Sequence, residues 1–105
     1  MPAVIIYITT SSTDEARKIG TRLLEMRLVA CVNIIAAMHA MFWWKDSISE
    51  AKETILLAKS TKNNVTLITQ VVQEMHSYDT PCIVSSDITD GSPEFIQWIQ
   101  DQCVE

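Results

Sequence analysis

CVNIIAAMHAMFWWKDSISEAKETILLAKS, residues Cys31 to Ser60, is the stretch on which the fold turns. From Cys31 to Trp44 it contains no glycine or proline, and Asn33 is its plainly polar residue. Its even positions, Val32, Ile34, Ala36, Met38, Ala40, Phe42 and Trp44, are all apolar. An apolar period of two sustained that far predicts a strand. Lys45-Asp46-Ser47 supplies a turn, because aspartate tolerates turn geometry and bonds its own backbone. A second extended run follows from Ile48 to Ser60, charged near the turn and apolar at Ile55, Leu56 and Leu57. Together they form one long hairpin.

A strand of this size spans on the order of 45 Å at about 3.3 Å per residue. A compact domain of this chain length has a radius of gyration of roughly 13 Å and is roughly 35 Å across. A straight hairpin therefore projects, and bulges or bends can only shorten it. An apolar overhang carrying Phe42, Trp43 and Trp44 is an aggregation hazard if left bare. Another copy of the same chain is the simplest cover, so the sequence predicts an oligomer.

The chain has 105 residues, 20% of them charged and 48% hydrophobic, an ordinary globular balance for one domain with its own core. The net charge of −5 argues against nucleic acid, whose phosphates need a basic face. No apolar run approaches the roughly 20 residues of a membrane-spanning helix, and no secretory signal pattern is visible. Cys31, Cys82 and Cys103 are odd in number, far apart and without a C-x-x-C pair. They are read as reduced thiols of a cytoplasmic protein.

Ala3 to Thr9 is a nearly continuous apolar run that suits a strand buried on both faces. Ser12 and Glu15 form an S-x-x-E capping box opening a helix with Ala16, Ile19, Gly20, Leu23 and Leu24 on its apolar face. After the hairpin, the polar Thr61 to Asn64 segment is placed to cap a second helix, whose apolar positions are Val65, Leu67, Ile68, Val71, Val72 and Met75. That helix ends before Pro81, since Thr80 is pushed out of the helical region. Cys82 to Ser86 reads as another short buried strand. Ser92-Pro93-Glu94 then starts a C-terminal amphipathic helix carrying Phe95, Ile96, Trp98 and Ile99. The order β-α-β-β-α-β with one added helix predicts an α+β, ferredoxin-like sandwich. Nothing in the chain is set aside to cover the sheet's second face, which again argues for assembly.

His76 lies beside Met75 at a helix end, where histidine also favours the negative helix C-terminus. As borderline or soft ligands the pair suits copper. His39, within the hairpin, reads as a satisfied contact residue, and Met26, Met38 and Met41 as packing groups. Cys31 and Cys82 sit in apolar strand contexts and read as buried structural thiols, while Cys103 near the tail is uninformative. Glu53 and Lys59 lie six apart on one strand and share a face. Charges on such a face are usually solvated, but in an oligomer they face a partner or a cleft. No glycine-rich phosphate loop is present, and neither histidine has a nucleophile supported by sequence.

These residues together resemble the CutA family, the divalent-cation tolerance proteins, over nearly the whole chain. The resemblance rests on Ala30-Cys31-Val32-Asn33, on Phe42, Trp44, Asp46 and Ile48 at the hairpin tip, and on Glu53 and Lys59. It continues through His76-Ser77-Tyr78-Asp79 and Pro81 to Gly91, Phe95 and Trp98. It implies a ferredoxin-like fold in a tight homotrimer, with long hairpins wrapping neighbouring subunits. It also implies a link to copper and other divalent cations, and a likeness to the trimeric PII signalling proteins. Where the family commonly has Tyr and Gly, this chain has Phe42 and Asp46, and the usual H-P-Y-E run is His76-Ser77-Tyr78-Asp79. Ile8 and Met75 stand where some members carry a cysteine and a second histidine, so His76 alone of that ligand set is retained, with Met75 as a substitute.

The chain is thus read as a single domain, 1–105, forming a cytoplasmic homotrimer that is not an enzyme and serves divalent-metal (copper) tolerance or response. His76 and Met75 are the expected metal ligands, holding copper or another divalent cation weakly. A ligand pocket containing Trp44, Glu53, Lys59, Tyr78 and Asp79 is expected at the subunit clefts. The second reading is a PII-like trimeric sensor or scaffold binding a small molecule in those clefts. No nucleic-acid or membrane partner is expected, and the residues name no further small-molecule or protein partner.

Overall fold

The computed structural model describes residues 2–104. In chain order the elements are β1 (Ala3–Thr10), α1 (Thr13–Glu25), β2 (Cys31–Trp44), β3 (Ser47–Thr61), a 3-10 turn (Lys62–Asn64), α2 (Val65–Met75), β4 (Ile83–Asp87) and α3 (Pro93–Gln102). The four strands form one sheet in the order β2-β3-β1-β4, and all three pairings are antiparallel. This is the expected β-α-β-β-α-β arrangement with its added C-terminal helix. Among the described residues no helix is long and apolar enough to cross a membrane.

Alternation on β1 and β3 sends Val4, Ile6 and Ile8 with Leu56 and Ala58 to one face. There they meet Ala16, Ile19 and Leu23 of α1 and Ile68, Val71 and Val72 of α2 in the main core. Burying each such aliphatic side chain contributes on the order of 1.5–3 kcal/mol. At Gly20, α1 comes so close that an added Cβ would lie 3.2 Å from Val32 Cγ2.

Helix α1 opens as the capping residues predict at one end only: Ser12 Oγ accepts the Glu15 N–H at 3.1 Å. The return bond goes one residue further back, with Glu15 Oε1 accepting from Ser11 N at 2.9 Å. Its other end closes with Arg27 at φ 56, the left-handed position that usually favours glycine. Leu28 N donates to Leu23 O and Arg27 N to Leu24 O, both at 3.0 Å, and Leu28 and Leu23 both enter the core. The segment before α2 does not cap it. Asn64 instead donates its side-chain amide to Leu28 O and Val104 O, tying the helix start to two other parts of the chain.

The hairpin is as long as its sequence indicates, and it stretches the molecule to 43 Å in its longest dimension against 26 and 22 Å in the others. Its turn is a two-residue loop, Lys45 and Asp46, with φ of 48° and 64°. Both central residues at positive φ match the twist of the flanking strands. β2 is not uniform, however. The register runs Cys31↔Lys59 to Ile35↔Ile55 and resumes at Met38↔Glu53, so β2 carries one extra residue between those pairs, and Ala37 there sits at φ 60. The bulge reverses parity. Before it, the even residues Val32 and Ile34 pack on the helix-covered core. After it, the even residues Met38, Ala40, Phe42 and Trp44 pair with Glu53, Ala51, Ser49 and Ser47, whose parity is that of the opposite face. The unbroken period of two in the sequence thus serves two different surfaces.

Two expectations need correcting. The second sheet face is not wholly uncovered: α3 lies at one end of it, where Ile99 and Cys103 pack with Ala3. And Cys82 to Ser86 is not a buried strand. β4 is an edge strand with Val84 57% exposed, Cys82 is exposed, and Cys31 is half-buried. Cys103 is the buried thiol, and burial pushes its pKa up, with the Ser60 hydroxyl 3.8 Å away. An edge strand with one helix-free face cannot bury its residues on both sides, which is why an apolar run misled here.

Left-handed backbone is costly for a residue with a Cβ and worst for a β-branched one. Ala37→Gly is therefore expected to stabilise the fold by about 0.5–1 kcal/mol and Ala37→Val to destabilise it by about 1–2 kcal/mol. Thermal unfolding at fixed protein concentration measures both. A neutral or stabilising Ala37→Val contradicts the bulge.

Candidate functional site

β1 ends at Thr10, opposite Thr54, so Glu53 is the first residue of β3 beyond the end of β1. From there the hairpin continues as two strands, and the edge of β3 is open. The irregular segment after α2 fills this notch. Tyr78 donates its hydroxyl to Glu53 Oε2 at 2.9 Å. Its ring packs on that of His76, centroids 4.8 Å apart.

His76 is held at both ring nitrogens. A carbonyl oxygen only accepts, so Nε2, 2.8 Å from Thr9 O, donates to it. An amide N–H only donates, so Nδ1 accepts from Tyr78 N at 3.0 Å. The side chain is fully buried. The arrangement explains how a histidine at a helix end is satisfied inside the fold, and it leaves neither nitrogen with a free lone pair.

Beneath this segment lies Glu15. Its carboxylate accepts from Ser11 N and Ser11 Oγ on one oxygen, and from Ser77 N at 2.9 Å on the other. Burial works to raise its pKa, but the hydrogen bonds from Ser11 and Ser77 outweigh that and hold it below the ordinary carboxylate value. Tyr78 moves the other way. Burial, the hydrogen bond to Glu53 and the negative charges of Glu53 and Glu15 push it up to about 12.

The remaining predicted residues are spread along the chain. Met75 packs at the margin of the core and lines a shallow groove of about 440 Å³ with Arg17, Lys18, Thr21, Arg22 and Glu25. Lys59 lies on the same face as Glu53 but six residues away, about 20 Å along the strand, and donates to Asn33 Oδ1 at 2.8 Å. Trp44 is at the hairpin end, 58% exposed, paired with Ser47 and so another roughly 20 Å from Glu53. The Lys45 ammonium lies 5.9 Å from its ring centroid. Asp79 is exposed. Within one chain, then, Tyr78 and Glu53 are brought together, with His76 beside Tyr78, while Lys59 and Trp44 stand apart from them. Among the described residues no cluster of three or more His, Cys, Asp and Glu is placed to hold a metal ion. His39 forms an exposed pair with Glu50 at 2.6 Å.

Thr9, Ser11 and Glu15 escaped the sequence reading as site residues. The S-x-x-E spacing marked Glu15, but only as a helix cap, and nothing in the sequence connects it to Ser77.

A model of the family described as "CutA1 divalent ion tolerance protein" matches residues 4–102. The divalent-cation tolerance protein CutA of Archaeoglobus fulgidus is 43% identical over 100 residues, covering 95% of this chain and 96% of that protein. Among solved structures, the periplasmic divalent cation tolerance protein CutA of Archaeoglobus fulgidus superposes with a TM-score of 0.91 at 40% identity, covering 95% of this chain and 97% of that one. The divalent cation tolerance protein of Thermus thermophilus gives a TM-score of 0.94 at 31% identity, with 97% and 99% covered.

A tyrosine whose folded-state pKa lies above its unfolded value of 10 contributes stability below pH 10 and loses it as the pH rises through about 12. With Tyr7→Phe removing the other tyrosine, absorbance titration is expected to show Tyr78 ionising near 12 while circular dichroism stays native. Glu53→Gln should bring that ionisation down towards 10. Ionisation at 10 in the Glu53 protein contradicts the bond.

Proposed function

This chain belongs to the CutA1 divalent ion tolerance family, and from that premise we propose that it serves divalent-cation tolerance as a homotrimer with its ligand clefts between subunits. The observation that carries the reading is the apolar surface running from the second sheet face to the hairpin tip. Ile35 is 50% exposed, Phe42 41% and Trp44 58%. The cross-strand pairs Ile35↔Ile55 and Tyr7↔Leu57 lie on the face opposite the main core. Continuous exposed apolar surface of this kind marks an interface. The Tyr78–Glu53 pair and Lys59 lie on or beside that surface, so a neighbouring copy is what can bring Trp44 and Lys59 close to a Glu53.

In this reading the protein binds its cation and is not an enzyme. Copper or another divalent cation is held weakly, because His76 has to give up Thr9 O or Tyr78 N to become a ligand. Closed metal sites use four ligands, and here water or groups from another subunit complete the set, with Met75 the nearest soft donor in sequence. The three free cysteines support a reducing, cytoplasmic location.

Sedimentation equilibrium at micromolar protein is expected to give three times the 11.8 kDa chain mass; a folded monomer overturns the trimer. Calorimetry of that species with Cu(II) and with Zn(II) should show binding at a Kd of about 10 µM or weaker, reduced further by His76→Ala. Equal Cu(II) affinity in His76→Ala removes His76 from the site.

A further inference from the structure

The carboxylate of Glu15 is engaged in a way that helix capping does not require. The N-cap role is already filled by Ser12, whose hydroxyl accepts the Glu15 N–H. One Glu15 oxygen takes both donors of Ser11, and the other reaches Ser77, a residue 62 positions later in the chain. The Glu15 side chain is only 14% exposed, while Ser77 lies at the surface.

What it holds is the segment carrying His76 and Tyr78. Three consecutive N–H groups there are fixed: His76 N on Val72 O, Ser77 N on Glu15, and Tyr78 N on His76 Nδ1. The first closes the helix and the third lies within the segment. The middle one ties it to another element of the fold, and the Tyr78 hydroxyl then meets Glu53 on β3. We propose that Glu15 is the positioning residue of this site, setting Tyr78 against Glu53 by clamping the backbone at Ser77. The proposal rests on the reading above that the Tyr78–Glu53 pair belongs to the ligand cleft, and it adds the residue that fixes its geometry.

Proline at position 77 provides the control. Proline has no N–H to donate but fixes its own φ near −65° covalently. His76, at φ −77 and ψ 144, already has the conformation a residue before proline adopts. If Glu15 acts by fixing residue 77, Ser77→Pro makes it dispensable.

The experiment is the absorbance titration of Tyr78 in the Tyr7→Phe protein without metal, so absence of cation binding would defeat the functional reading and leave this one intact. Glu15→Ala is expected to lower the Tyr78 ionisation from about 12 towards 10 with serine at position 77, and to have little effect with proline there. Ser12→Ala, which removes the cap alone, should leave it near 12. An unchanged ionisation in Glu15→Ala overturns the proposal. So does an equal fall in the serine and proline backgrounds, which would mean that Glu15 acts through its charge alone. Should Glu15→Ala fail to fold, Glu15→Met is read by the same criteria, since it keeps the length of the side chain and offers Ser77 N no oxygen acceptor.

Discussion

The ladder on strand β3 is the constraint from which the rest of the molecule follows. It pairs with β1 from Thr54 to Thr61 and with β2 from Ser47 to Lys59, so its inner half has a neighbour on each edge and its outer half on one. Where it is flanked on both sides, its even residues close the core. Where β1 stops, the sheet narrows to a two-stranded ribbon that has no helix above it and cannot bury its own apolar residues. Isolated two-stranded ribbons are marginal in water, which is why exposed Met41, Trp43, Trp44 and Ile48 call for a partner surface.

The notch at that transition is also where the polar groups converge. The end of a strand leaves edge groups to be satisfied, and the segment after α2 enters the gap with His76, Ser77 and Tyr78. Each finds a partner from a different element: Thr9 at the end of β1, Glu15 in the first turn of α1, Glu53 on β3. Among the described residues no buried side-chain nitrogen or oxygen lacks a partner. A site so completely satisfied can take a new partner only by giving up hydrogen bonds it already has.

The bulge at Ala37 has a consequence for how such hairpins are read. Val32 and Ile34 and then Met38 to Trp44 belong to one unbroken alternation in sequence, yet they serve opposite faces because one inserted residue reverses parity. Without that reversal, Phe42 and Trp44 would share the face of Val32 and Ile34. With it, they continue the face that carries Glu53, Ile55, Leu57 and Lys59.

Element order, the long hairpin, the Ser12 cap and the Pro93 helix start were all legible from the sequence, because each depends on neighbours a few residues away: side-chain period, cap spacing, the fixed φ of proline. The resemblance to CutA proteins was legible for the same reason, as short motifs in order. The bulge, the exposure of Cys82, the cover that α3 gives to Ala3 and the Glu15–Ser77 contact were not. They arise where segments up to 62 residues apart meet. A hydrogen bond across that separation is set by the packing of α1 and α2 on a common sheet face, and no local preference of either residue encodes it.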